Sequence, residues 1–275
     1  MTAEHTYADR AVQAWLLLVA FLVLCMIVVG GATRLTDSGL SITEWKPILG
    51  AIPPLTEAHW LEALEKYRQI PEYQLVNKGM SLDEFKFIYW WEWGHRFLGR
   101  IIGLAFALPL AFFAWLGMLR AGALPKYLGV LALGGVQGAI GWYMVSSGLV
   151  ERVDVSHYRL ALHLSVAFLI LGLLVWLAMD LNDDRVQVRA GELPASAATL
   201  ALLIVVIVYA QVALGAFVAG LKAGLAYNTW PLMNGQVIPD DLFAMSPLLV
   251  NFVENATTVQ FNHRLLAYIV VALGI

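Results

Sequence analysis

Four residues able to do chemistry stand within nine positions: Glu92, His95, Arg96 and Arg100, in Tyr89-Trp90-Trp91-Glu92-Trp93-Gly94-His95-Arg96-Phe97-Leu98-Gly99-Arg100. On a helix, a carboxylate three residues before an imidazole shares its face. It can accept a proton, orient water or hydrogen-bond an iron-bound oxygen. An altered copy follows as Gln260-Phe261-Asn262-His263-Arg264. The His-Arg pair recurs, but Gln260 stands where Glu92 stood. An amide keeps the hydrogen bonding and loses the proton chemistry. The first copy therefore reads as reactive and the second as structural or electron-transferring. The plainer account of Glu92 is an acid favouring a helix N-terminus through the dipole.

The elements that must position these residues are membrane helices. The chain has 275 residues, of which 60% are hydrophobic and 13% charged. A soluble domain is nearer 45–50% apolar and about 25% charged. Mean hydropathy is +0.72. The net charge of −3 comes with no basic cluster, which argues against a nucleic-acid partner. One cysteine, Cys25, excludes an internal disulfide framework and a cysteine-built metal site. About twenty apolar residues span a bilayer. Six runs fit or nearly fit: Ala11–Ala32, Phe97–Leu119, Leu124–Val145, Leu160–Met179, Ala195–Ala219 and Thr257–Ile275. The polar N-terminus lacks a cleavage site, so the first run is expected to be a retained helix. The last run ends without a polar flank, so the chain is expected to continue. Segments 33–89 and 220–256 are long loops on one side. Weighting short loops, Arg10, Arg120, Lys126, Arg185 and Arg189 place the N-terminus in the cytoplasm.

The chain also repeats itself. Gly39-Leu40, Trp45, Gly50 and Pro54 return 185 positions later as Gly224-Leu225, Trp230, Gly235 and Pro239; the His-Arg pairs are 168 apart. The unit is four helices, in parallel orientation. The expected fold is an all-α polytopic membrane protein of two tandem, pseudo-symmetric four-helix bundles, with six of eight helices present. Residues 1–185 form the first half with its outer loop 33–89. Residues 186–275 begin the second.

Histidines inside membrane helices mark functional sites by default. His95 is expected about five residues into its helical segment, and His163 and His263 about six into theirs, all about 8–9 Å below one face. Two imidazoles at equal depth can bind one iron from opposite faces of a flat macrocycle, the arrangement of a bis-histidine b-type haem. An interhelical hydrogen bond is the plainer role for each. His157 points about 240° from His163 and cannot share its iron. It is left for propionates or substrate near the surface. Arg96, Arg100 and Arg264 suit propionate carboxylates, or alternatively snorkel to the interface. Trp90, Trp91 and Trp93 read as an aromatic belt. Gln137 with Gly141, and Gln211 with Gly215, read as helix-packing pairs.

Gly30-Gly31-Ala32-Thr33-Arg34-Leu35-Thr36-Asp37-Ser38-Gly39-Leu40-Ser41, Glu44-Trp45-Lys46-Pro47 and Glu92-Trp93-Gly94-His95-Arg96 resemble the haem A synthase family, in its alphaproteobacterial and mitochondrial branch. The resemblance implies eight helices in two halves, and oxidation of the C8 methyl of haem O to a formyl group. The product is haem A for cytochrome oxidase. It implies His95 and His163 as iron ligands in the first half and Glu92 as the catalytic glutamate. His263 becomes a ligand of a second-half haem b, whose partner histidine belongs to an eighth helix beyond Ile275. The cysteine pair of some bacterial members is missing from the first loop. The resemblance also implies a bacterial inner-membrane location, a haem O synthase supplying substrate and an electron donor. Homo-oligomerisation and lipid contact are further expectations. Two rivals stand beside it: a bis-histidine electron-transfer cytochrome and a parallel-repeat transporter.

Overall fold

The computed structural model describes residues 3–181 and 195–274. The half boundary expected at 185, and the charges Asp183, Asp184, Arg185, Arg189 and Glu192, lie outside the described residues. The secondary structure described is helical: α1 (Ala3–Leu35), α2 (Glu57–Tyr67), α3 (Pro71–Leu75), α4 (Leu82–Trp115), α5 (Leu124–Ser146), α6 (His157–Asp180), α7 (Ala195–Gly220), α8 (Asn251–Glu254) and α9 (Ala256–Gly274). Among the described residues, five helices are long and apolar enough to cross a membrane: α1, α4, α5, α6 and α7. The sixth expected run folds as α9 but is not one of the five. Its first half carries Gln260, Asn262, His263 and Arg264.

The chain divides into two compact units, Met1–Val155 with Val166–Val188, and Ser156–Ser165 with Arg189–Ile275. In the first, α1, α4, α5 and the later part of α6 bury side chains in one core. Trp15 sits at its centre, against Phe106, Phe113 and Tyr127. Its indole nitrogen donates to the carbonyl of Ala105, 2.8 Å away, so the ring is buried without an orphaned donor. At one end of this core, Arg120 binds Asp9 and the carbonyls of Asp180 and Leu181.

Two expectations about the first unit need correction. The loop 33–89 is not a plain loop. It carries α2, α3 and the start of α4, gathered on a second core of Leu40, Leu64, Tyr67, Ile70, Phe85, Ile88 and Val145. Nor does the second membrane helix begin near Phe97. Ser81 accepts from the Glu84 amide and the Glu84 carboxylate accepts from the Ser81 amide, a reciprocal cap that starts α4 at Leu82. Its 34 residues reach about 51 Å, well beyond a hydrocarbon core of about 30 Å.

In the second unit α7 packs on α9, and the segment between them is pinned by side-chain hydrogen bonds. Asn251 donates to the carbonyls of Met245 and Leu248 and accepts from the Met245 amide. Asp241 accepts from Tyr227 and Thr257.

Candidate haem-binding and proton-handling site

The long α4 moves Glu92 away from any helix end. It is the eleventh residue of α4, while the first turn has its own acids in Asp83 and Glu84. The dipole account of Glu92 therefore fails. The side chain is 3% exposed. One oxygen accepts from the Ser41 hydroxyl at 2.8 Å and the Ile42 amide at 2.6 Å; the other accepts from Arg96 at 2.5 Å. Three donors on a buried carboxylate offset its desolvation.

Arg96 completes the junction. One terminal nitrogen donates to the carbonyl of Glu44 at 3.0 Å, the other to that of Ile42 at 2.7 Å. The chain leaving α1 is thus fastened to α4 from both polarities: amide to Glu92, carbonyls to Arg96. Arg100 repeats the device one turn on, donating to the carbonyls of Pro47 at 2.7 Å and Lys46 at 3.0 Å.

The second unit rebuilds this junction. Arg264 donates to the carbonyls of Tyr227 at 2.7 Å and Thr229 at 2.8 Å. Tyr227 and Thr229 are 185 positions after Ile42 and Glu44, the offset of the sequence repeat. Gln260 replaces Glu92 with opposite polarity: its amide donates to the Tyr227 carbonyl at 2.9 Å. The repeat is therefore one of geometry, and the carboxylate is where the copies part.

Each histidine of a His-Arg pair lies against a glycine of the neighbouring helix. A Cβ on Gly30 of α1 would stand 3.2 Å from Nε2 of His95; one on Gly215 of α7 would stand 3.1 Å from Cε1 of His263. Gly30 and Gly215 are again 185 apart. Both imidazoles have a side-chain-free clearance on that face. Nδ1 of His263 is buried without a hydrogen bond, while Nε2 lies 3.4 Å from the Gln211 amide nitrogen.

His157 and His163 belong to the second unit, with His263. His163 is the seventh residue of α6 and half-buried. His157 is buried, its ring tilted against Tyr158 and edge-on to Phe217, with Nε2 3.4 Å from Glu254. Its carboxylate partner belongs to its own unit. His95 is the fourteenth residue of α4, about 20 Å from its start; His163 and His263 lie about 9–11 Å into theirs.

The residues fit a haem. Among the described residues no group of three or more His, Cys, Asp or Glu could hold a bare metal ion, whereas a macrocycle brings four of its own ligands. A glycine-cleared imidazole suits a flat partner. Nη1 of Arg100 and Nε1 of Trp93 are buried donors without a hydrogen bond, and a carboxylate would satisfy such donors.

The COX15-CtaA family, described as cytochrome oxidase assembly protein, matches residues 13–275. The chain belongs to this family. Among COX15-CtaA relatives, the heme A synthase of Parvibaculum lavamentivorans is 58% identical over 97% of this chain and 76% of its own length. That of Azorhizobium caulinodans is 54% identical over 97% and 76%. That of Agrobacterium fabrum is 55% identical over 94% and 70%. No solved structure matches.

Within this COX15-CtaA chain, sequence reading placed the ionisable side chains and missed their partners. Ile42, Glu44, Pro47, Tyr227 and Thr229 act through backbone atoms, which residue identity does not announce. The glycines facing the imidazoles were findable, because Gly30 and Gly215 obey the repeat offset. Trp90 and Trp93 form part of a packed ladder, Trp60–Trp90–Trp93–Phe97, rather than a plain belt.

Proposed function

We propose that this chain is a haem A synthase that oxidises the C8 methyl of haem O to a formyl group, making haem A for cytochrome oxidase. Family membership and relatives of that name along nearly the whole chain support the reading. The observation that carries the division of labour is the buried Glu92 carboxylate in the first unit, against the Gln260 amide in the second.

In this reading His95 is a ligand of the substrate haem O, and His263 is a ligand of haem b. When bound, haem b supplies one-electron transfer. Arg100 and, beside the loop carbonyls they already hold, Arg96 and Arg264 face the propionates. Glu92 accepts a proton on a carboxylate oxygen during methyl oxidation. Arg96 and the Ile42 amide keep that carboxylate aimed and its charge compensated. The glycines opposite His95 and His263 leave each ring free to take up its ligating angle. A haem O synthase supplies the substrate and an electron-transfer partner completes the redox cycle. The protein lies in the bacterial inner membrane, with the N-terminus cytoplasmic and the segment 33–89 on the opposite side.

Extraction and chromatography of haems from the purified protein, produced where haem O is supplied, tests this. Haem A together with a low-spin Soret spectrum is expected. Bound haem O that is never converted would overturn the catalytic reading and favour a simple electron carrier. No haem at all would favour a transporter.

A further inference from the structure

A stretch of the first unit that joins helices, and belongs to no membrane span, is more apolar than water tolerates. From Pro47 to Leu55 there is no charged residue. Ile48, Leu49, Ile52 and Leu55 are 64–82% exposed. Beyond one 3-10 turn at Leu49–Ala51 the stretch has no regular structure. Four neighbouring bare apolar side chains mark an interaction surface.

Two contacts fix its level along the membrane helices. Arg100 holds the carbonyls of Lys46 and Pro47, and Gly50 lies so close that a Cβ there would stand 3.0 Å from the guanidinium. α4 ends at Trp115. Counting back the roughly twenty residues of one span reaches Arg96, so Arg100 lies just inside the hydrocarbon edge. Independently, Trp45 packs at 5.4 Å on Trp142, four residues before the end of α5. Both markers put the start of the stretch at the membrane boundary. Lys46, next to the stretch, and Lys66 both pair with Glu44, and the three provide a water-facing rim.

We propose that Ile48–Leu55 is a membrane-interface anchor whose apolar side chains enter the headgroup and acyl boundary on the loop face of the bilayer. The occupant is lipid, because the stretch is held through Arg100 and Trp142 against two helices that are long and apolar enough to cross a membrane. The anchor holds the outer head of α2 and α3 down on the membrane. This inference rests on the reading of α4 and α5 as spans.

The test is photolabelling of the unsubstituted full chain in liposomes with a diazirine-bearing phospholipid, followed by peptide mass spectrometry. Labelling of 47–56 is expected to match the exposed face of α4 and to exceed that of α2 by at least about tenfold. Labelled α4 with unlabelled 47–56 would overturn the anchor alone. Unlabelled α4 would overturn the membrane reading itself. A second measurement separates the other occupants. Spin labels at Ile48→Cys or Ile52→Cys, in a Cys25→Ser background, should collide with oxygen more than with a water-soluble nickel complex, and Glu62→Cys should do the reverse. Nickel-accessible labels would mean a solvated loop. Labels shielded from both would mean that a second copy or another protein covers it. Either result overturns the proposal.

Discussion

A Cβ added to Gly30 would stand 3.2 Å from Nε2 of His95, whereas one on Gly31 would meet nothing within 4 Å. Two adjacent glycines in one helix thus give opposite expectations. Gly31→Ala should be neutral or stabilise α1 by roughly 0.5–1 kcal/mol, through lost chain entropy. Gly30→Ala should push the His95 ring and weaken the haem signal assigned to His95. Optical spectra and haem-to-protein ratios of the two variants check this. The same comparison at Gly215 should disturb the signal assigned to His263.

Glu92→Gln keeps the size of the side chain and removes its charge. Conversion of haem O should fall by roughly 10²–10⁴, the usual worth of a positioned proton acceptor, with haem binding retained. The reciprocal change is equally informative. Gln260→Glu turns a donor to the Tyr227 carbonyl into an acceptor facing another acceptor. It should loosen the second junction without creating activity there. Haem chromatography and hydrogen exchange over 225–232 read the two effects separately.

Arg96→Ala removes the partner of a buried carboxylate and two carbonyl contacts at once. A cost of about 3–5 kcal/mol is expected. Limited proteolysis within 36–56 should accelerate sharply. Arg96→Lys should rescue little, since one ammonium does not reproduce a fork that spans two carbonyls and a carboxylate.

Glu72 gives the outer head a pH response. It is 5% exposed, and burial pushes its carboxyl up to about 8, against the opposing hydrogen bond from Tyr67. The folded head therefore binds this proton more tightly than the unfolded chain. The resulting stability is complete below the ordinary carboxylate range and is lost as pH rises through about 8, at up to roughly 1.4 kcal/mol per pH unit. Thermal unfolding or hydrogen exchange of 57–80 should show the loss between about pH 5 and 8. Glu72→Gln should flatten it.

The sequence carried the duplication, the His-Arg pairs and the odd carboxylate because each depends on side-chain type at a fixed interval. It carried less of the outer head. Hydropathy places the start of α4 where the apolar run begins, at Phe97, but helices start where amides are capped. Ser81 and Glu84 were that signal, three residues apart in plain view. Likewise hydropathy reads Arg96, Arg100 and Arg264 as charges awaiting an anion, while much of their hydrogen-bonding capacity is spent on peptide carbonyls. The buried state of Glu72 had no counterpart in pattern, since an acid beside Pro71 in a polar segment looks solvated until α2, α3 and α4 close around it.

The length of α4 has a mechanical meaning. From the Ser81 cap to His95 the helix is unbroken, and its one proline, Pro109, comes fourteen residues further on. The outer head and the His95 imidazole therefore ride on one stiff rod, with the place to flex on the far side of the ring. A tug on the head reaches the imidazole as a tilt or a twist, undamped, while the deeper end of the helix can bend and stay seated in its core.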